Sequence, residues 1–172
     1  MPDRELDQWA QWLLHRRHGG DPEELERTLA YLCPIRDRVL DHAGLREGET
    51  LLDVGCGDGL IAFGALERVG PSGMVIFSDI SQDLLDHSHA LAEQMGVLDR
   101  CQFLRARAED LAAILDSSVD VVTTRSVLIY VADKPRAFTE FFRVLRPGGR
   151  ISLFEPINRL GAGNASWDAG PI

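Results

Sequence analysis

From residue 50 onward, apolar residues in this chain fall into two alternating textures. Short, nearly unbroken runs of strand length cover Thr50 to Val54, Met74 to Asp79, Cys101 to Leu104, Val119 to Thr124 and Arg150 to Phe154. Between them the apolar positions take helical spacing. Leu60 to Val69 forms one such stretch, Leu84, Ser88, Leu91 and Met95 share a stripe, and Phe138, Phe141, Phe142 and Leu145 recur at i, i+3, i+4 and i+7. A short helix is predicted over Leu111 to Leu115. Gly48, Gly70-Pro71-Ser72-Gly73, Gly96 and Pro147-Gly148-Gly149 mark the turns. Unbroken apolar strands imply burial on both faces. Strands alternating with helices of crossover length require parallel pairing and right-handed connections. The predicted fold class is an open, doubly wound α/β sheet.

Ahead of the sheet the pattern is helical only. Leu6, Trp9, Leu13 and Leu14 make an apolar stripe that Gly19-Gly20 stop, and Asp21-Pro22-Glu23-Glu24 restart a helix with a cap, a proline at N1 and acids in the first turn. Pro34 is expected to separate this helix from the next, which carries Ile35, Val39 and Leu40. The predicted organisation is a helical segment or lid over residues 1–44, a ligand-binding domain over 45–156 and an irregular tail over 157–172. Gly, Asn and Ser crowd that tail, and no further strand is visible in it.

Composition narrows the partners. The 172 residues are 45% hydrophobic and 26% charged, the balance of one soluble domain. No run approaches the ~20 apolar residues of a membrane span. The N-terminus, Met1-Pro2-Asp3-Arg4-Glu5, is charged where a signal peptide is apolar. A cytoplasmic location without membrane contact is expected. A formal charge of -9, with no basic cluster larger than Arg16-Arg17, argues against a nucleic-acid partner. Cys33, Cys56 and Cys101 suggest neither a disulfide framework nor a zinc site, and His87 and His89, two apart on a helix, point away from each other. No metal site is expected.

The informative stretch is Leu51-Leu52-Asp53-Val54-Gly55-Cys56-Gly57-Asp58-Gly59-Leu60, which reads as strand, tight loop and helix. Its glycines let a ligand lie against the backbone. In an open α/β sheet such a loop sits beyond the carboxyl ends of the strands, where ligands bind. Charge selects among ligands. A carboxylate such as Asp58 about 4 Å from a phosphate costs on the order of 4 kcal/mol at an effective dielectric of about 20. No Gly-Lys-Ser/Thr follows the loop either, so Walker-type phosphate binding is not indicated. Asp53, Asp58, Asp79 and Glu109 favour a ligand with cationic centres and hydroxyls, and Asp79, about 20 residues past the loop, suits a ribose. A nucleoside with a positive tail fits.

These residues resemble a class I S-adenosylmethionine-dependent methyltransferase of the small-molecule, type 11-like kind, over Leu45 to about Pro156. The segment Leu52-Asp53-Val54-Gly55-Cys56-Gly57-Asp58-Gly59 is similar to that family's first motif, and Asp79 and Ile80 are similar to its ribose acid and adenine-packing residue. Ala108-Glu109 resembles the adenine-edge loop, Asp120-Val121-Val122 the fourth strand, and Arg143-Val144-Leu145-Arg146-Pro147-Gly148-Gly149 the approach to the fifth. The resemblance implies a Rossmann-like, three-layer sandwich with a parallel sheet of about five strands in order 3-2-1-4-5. It further implies S-adenosylmethionine as cofactor, S-adenosylhomocysteine as product, and a cofactor site of Asp53, Gly55, Cys56, Gly57, Gly59, Asp79, Ile80, Ala108, Glu109 and Arg125. Where the family often has Asp before the Ala-Glu pair, this chain has Arg107, which cannot accept a hydrogen bond. Such folds normally continue with two more strands, so a truncated chain is expected, with a fifth strand open to homodimerisation.

Methyl transfer needs orientation and a dry cleft more than a dedicated nucleophile. The fourth strand ends in Thr123-Thr124-Arg125-Ser126, which lacks the Asn-Pro-Pro-Tyr and Pro-Cys signatures of amino- and cytosine-methylating relatives. The resemblance therefore implies an oxygen, sulfur or carbon acceptor in a small molecule. Arg125 and Tyr130 are the candidate catalytic residues; Arg125 would line the cofactor's methionine end or pair with an anionic acceptor, and packing competes as the role of Tyr130. Trp9 and Trp12 are candidates to cover the pocket. Two alternatives stay open: a non-catalytic S-adenosylmethionine-binding module, and an NAD-type oxidoreductase resting on Gly55 to Gly59 with Asp79.

Overall fold

A computed structural model describes residues 6–16 and 21–155. The expected tail at 157–172, together with Arg17 and Gly19-Gly20, lies outside the described residues. Five strands, β1 (Thr50–Val54), β2 (Met74–Asp79), β3 (Cys101–Arg105), β4 (Val119–Arg125) and β5 (Leu145–Phe154), form one sheet in the order β3-β2-β1-β4-β5. Every neighbouring pair is parallel. The doubly wound order implied above is the observed one.

Because side chains alternate along each strand, the buried runs feed two cores. Leu51, Val75, Phe77 and Val121 pack with α2 (Pro22–Ala43), α3 (Leu60–Val69) and Leu85 of α4 (Gln82–Gln94) on one face. On the other face Leu52, Val54, Ile76 and Val122 meet α5 (Lys134–Val144), through Ala137, Phe141 and Val144, and the segment after β3, through Ala108, Leu111 and Ile114. These are the three layers.

Four local expectations change. Pro34 lies inside a continuous α2. Both Pro34 and Ala30, the residue whose carbonyl loses an amide partner, are exposed, so water is at hand to replace the bond. Leu111 to Leu115 is a turn rather than a helix. Its polar backbone atoms are held by α5: Glu140 Oε2 accepts the Leu111 N–H (2.9 Å), and the Arg143 guanidinium donates to the carbonyls of Leu111 and Ile114 (both 2.9 Å). The stripe at Leu6 to Leu14 becomes a short α1 (Gln8–Ala10), capped by Asp7, that continues as a wider π-type coil over Gln11–Arg16. β5 also starts earlier than its apolar run, at Leu145, with a register irregularity against β4.

The edge strand β5 is tied back by polar groups. The Arg150 guanidinium grips both Glu49 carboxylate oxygens (3.0 and 2.7 Å) and donates to the carbonyls of Ala43 and Gly44 at the C-terminus of α2, while the Ser152 hydroxyl donates to the Val39 carbonyl. Glu49 titrates below the usual carboxylate range, chiefly through that hydrogen bond from Arg150. No helix among the described residues is long and apolar enough to cross a membrane.

Replacing Arg150 by Met should lower unfolding free energy by about 2 kcal/mol, because it orphans Glu49 and two helix-terminal carbonyls. The equivalent change at Arg27, whose pairing with Glu24 is solvent-exposed, should stay within about 0.5 kcal/mol. Urea unfolding of both variants checks this, and equal losses would contradict it.

Candidate functional site

The loops after β1, β2, β3 and β4 all emerge at one edge of the sheet and enclose a cleft of about 380 Å³. A second cavity of about 440 Å³ opens toward the opposite strand ends, beside the turn at 111–115, but no ionisable residue lines it. Chemistry therefore concentrates in the first cleft.

Its floor is the glycine loop. Gly55, Gly57 and Gly59 all have positive φ (69°, 56° and 83°). At Gly55 a Cβ would lie 2.3 Å from Val127 Cγ2, so this position is closed to any side chain by the loop after β4. Gly59 differs from its neighbours: it does not line the cleft, and a Cβ there would strike Phe63 and Phe77. Its bareness serves the packing of α3 on β2. Asp53, Gly55, Cys56, Gly57 and Asp58 all line the cleft. Burial pushes the Cys56 thiol up, which keeps it un-ionised.

Two carboxylates define the electrostatics. Asp79 ends β2 and accepts the Gly57 N–H on Oδ2 and the Ser81 N–H on Oδ1, both at 2.9 Å. It thereby ties the glycine loop to the second strand, and each oxygen keeps a lone pair for another donor. Burial raises its pKa. Asp53, 1% exposed, accepts the Thr123 hydroxyl on Oδ1 (2.8 Å), while Oδ2 has no hydrogen-bond partner among the described residues. Burial pushes the Asp53 carboxyl up to about 7, against the pull of the Thr123 hydrogen bond and the Arg125 charge; the Asp79 charge adds to the rise. A buried, half-satisfied carboxyl lining a cleft is an acceptor waiting for a donor or a cation.

The walls come from distant segments. Ile80 lines one side, 48% exposed, with Leu84, Ala108 and Glu109. Arg107 sits beside Glu109 (3.8 Å) and is largely exposed. On the other side are Arg125, Ser126, Val127, Tyr130 and Val131. Arg125 forms no ion pair within 4 Å among the described residues. Gln8, Trp9, Trp12 and Leu13 cover the top. The Trp9 ring meets Tyr130 edge-on at 5.0 Å. Asp7 anchors this cover to the start of α4: its N–H donates to Asp83 Oδ2 (2.7 Å), and its carboxylate accepts the Ser81 hydroxyl (2.6 Å).

The cleft thus gathers Asp53, Gly55, Cys56, Gly57, Asp79, Ile80, Ala108, Glu109, Arg125 and Tyr130. Sequence reasoning missed Thr123, Leu84, Val127 and the Asp7 anchor. Thr123 was recoverable only by pairing β1 with β4 in register, since Asp53 stands opposite it. Among the described residues, no group of three or more His, Cys, Asp or Glu could hold a metal ion.

Comparison with known proteins gives a consistent picture. The model of the ubiE/COQ5 methyltransferase family matches residues 34–160. The tRNA 5-carboxymethoxyuridine methyltransferase of Escherichia coli K12 is 35% identical over 153 residues, covering 89% of this chain and 56% of that protein. Nocamycin O-methyltransferase of Saccharothrix syringae is 36% identical over 142 residues, covering 83% of this chain and 49% of that one. The crystal structure of geranyl diphosphate C-methyltransferase from Streptomyces coelicolor A3(2), in complex with Mg2+, geranyl diphosphate and S-adenosyl-L-homocysteine, matches with a TM-score of 0.69 at 25% identity, covering 80% of this chain and 53% of that one. The chain spans about half the length of the curated relatives it matches. One relative is named for tRNA, so net charge alone does not exclude nucleic acid as a partner.

Asp53 gives a pH signature. Its carboxyl binds a proton more tightly in the folded than in the unfolded chain, so folding stability should fall as pH rises from about 4 to about 7. Asp53→Asn should flatten that fall by on the order of 3 kcal/mol, leaving a shallower slope from Asp79, whose pKa is also raised. Chemical unfolding of both proteins at pH 5 and pH 8 measures the difference, and parallel pH dependences would refute it.

Proposed function

This chain belongs to the ubiE/COQ5 methyltransferase family, and we propose that its cleft holds S-adenosylmethionine and transfers the methyl group to an oxygen, sulfur or carbon atom of a small molecule. The observation that carries the reading is the joint presence, in one cleft, of a bare glycine loop, a ribose-type acid in Asp79 and an unsatisfied buried carboxyl in Asp53.

Each part of the cofactor has a counterpart. The free lone pairs of Asp79 suit the two ribose hydroxyls. Ile80, Leu84 and Ala108 offer the apolar slot an adenine needs, with Glu109 at its edge and Arg107 unable to accept from the amino group. Gly55 and Gly57 let the methionine end lie against the backbone, and Asp53 Oδ2 suits its ammonium group. Arg125 would hold the carboxylate of that end, or an anionic acceptor beside it. When bound, the cofactor supplies a methyl group on a sulfonium, an electrophile whose charge disappears as the methyl leaves.

The chain's own residues orient and dry the reaction. Trp9, Trp12 and Leu13 exclude water from above, as a lid would, and the apolar walls favour a displacement in which the sulfonium charge is dissipated. Tyr130, packed on Trp9, shapes the acceptor side, and proton removal from an acidic acceptor needs no stronger base than solvent. The acidic surface of the chain favours a small molecule over tRNA. The 35% identity to a tRNA methyltransferase keeps a nucleoside in tRNA as a second reading. A homodimer across β5, which among the described residues pairs on one side only, with β4, and where Ile151 and Leu153 are 38% and 46% exposed, belongs to the same proposal; light scattering should give twice the chain mass, and Ile151→Lys should halve it.

Calorimetry with S-adenosylhomocysteine tests the cofactor reading. Wild type should bind at micromolar Kd, and Asp79→Ala should weaken binding at least tenfold, equivalent to about 1.4 kcal/mol, by removing two charge-assisted hydrogen bonds. Unchanged affinity in that variant would defeat it. Tight NADH binding would point to the oxidoreductase alternative, and binding without turnover across a panel of small acceptors and tRNA carrying 5-carboxymethoxyuridine would favour the non-catalytic module.

A further inference from the structure

Glu155, the residue just past β5, lies outside the cleft yet governs one of its walls. A single carboxylate oxygen, Oε1, accepts the backbone N–H groups of both Val127 (2.9 Å) and Leu128 (3.0 Å). Its other oxygen is shielded from solvent and has no hydrogen-bond partner among the described residues. Successive amides converging on one anion form a nest, and bonds to a charged acceptor are about twice as strong as neutral ones.

The turn so held is under strain. Ser126 has φ of 58°, a left-handed backbone that a non-glycine residue adopts only under constraint. Its N–H donates to the Phe154 carbonyl, the residue before Glu155, so the end of β5 fixes both sides of the kink. Beyond it the Tyr130 N–H returns to the Val127 carbonyl, and Leu128 and Val131 anchor the turn in the core. The result is that Val127 fills the space above Gly55, and Tyr130 reaches Trp9.

We infer that Glu155 is a positioning residue: its carboxylate sets the turn over residues 126–131, which presses Val127 onto the glycine loop and presents Tyr130 to the lid, so that the acceptor-side wall and the cofactor floor take their shape together. This rests on the cofactor reading above. It assigns no contact between Glu155 and either ligand.

The test combines amide hydrogen exchange with calorimetry on the full chain. In wild type the Val127 and Leu128 amides should be protected although they belong to a loop. In Glu155→Ala their protection should fall about tenfold or more while β1 and β4 amides change less than twofold, and the Kd for S-adenosylhomocysteine should rise about five- to tenfold. Glu155→Gln keeps an oxygen that can accept both amides and should restore binding to within about threefold of wild type. Unprotected Val127 and Leu128 amides in wild type would overturn the inference, as would a folded Glu155→Ala protein with wild-type protection and affinity. If Glu155→Ala does not fold, wild-type protection and the Gln variant decide: a Gln variant that keeps protection and affinity supports positioning through the accepted amides, and one that loses neither protection nor fold but loses affinity tenfold overturns it. Absence of S-adenosylhomocysteine binding in wild type would defeat the cofactor reading, and the exchange result alone would then decide whether Glu155 sets the turn.

Discussion

The parallel pairing of β1 with β4 sets Asp53 beside Thr123 and Val54 beside Thr124, and past that last rung the two chains leave for opposite faces of the sheet. The β1 chain turns through the glycine loop into α3, packed on one core; the β4 chain turns through residues 126–131 toward α5, packed on the other. A crevice must open between them, because no right-handed crossover bridges the point where winding reverses. Everything in the cleft follows from how that crevice is lined. Gly55 is bare because Val127 of the opposite turn already occupies the space its side chain would take.

Lining such a crevice with acids runs against stability. Asp53 and Asp79 are both buried, and burial opposes the ionisation of each. Asp79 recovers much of the cost through two backbone amides. Asp53 recovers less, with one hydroxyl partner, and Ser126 adds backbone strain at the same spot. Unsatisfied polarity at Asp53 and backbone strain at Ser126, both lining one cleft, are the features expected where a structure is shaped for a ligand rather than for folding.

The strands and the glycine loop were legible because their signals are local. A doubly buried strand must be apolar throughout, a backbone that approaches a ligand must be glycine, and an acid at the end of the second strand falls at a fixed spacing from the loop. What was hidden depended on partners remote in sequence. Pro34 was read as a break because the rule concerns the amide it removes; only the exposure of that turn of α2 shows that water can replace the bond. Leu111 to Leu115 has helical spacing, but Glu140 and Arg143 satisfy its backbone groups in another conformation. Gly59 carries the motif's spacing and serves Phe63 instead. Asp53 was legible as an acid, but not as a half-satisfied one, since that property belongs to its register with Thr123.

The same contrast separates what the cleft says about its two occupants. The proposed cofactor side is built mostly from contiguous loops at the ends of β1, β2 and β3, whose geometry follows from the sheet, so short motifs describe it well. The proposed acceptor side is assembled from α1 and its π-type continuation and from the turn at 126–131, joined by Trp9 on Tyr130, while Glu155 outside the cleft holds that turn by two amides. These contacts join segments remote in sequence, tied to the sheet at the end of β5, where the Ser126 N–H donates to the Phe154 carbonyl. The proteins this chain resembles carry names as different as tRNA 5-carboxymethoxyuridine methyltransferase, nocamycin O-methyltransferase and geranyl diphosphate C-methyltransferase. Under the proposed function, acceptor identity is to be sought in the cover formed by Trp9, Trp12 and Leu13 and in the 126–131 wall rather than in the glycine loop.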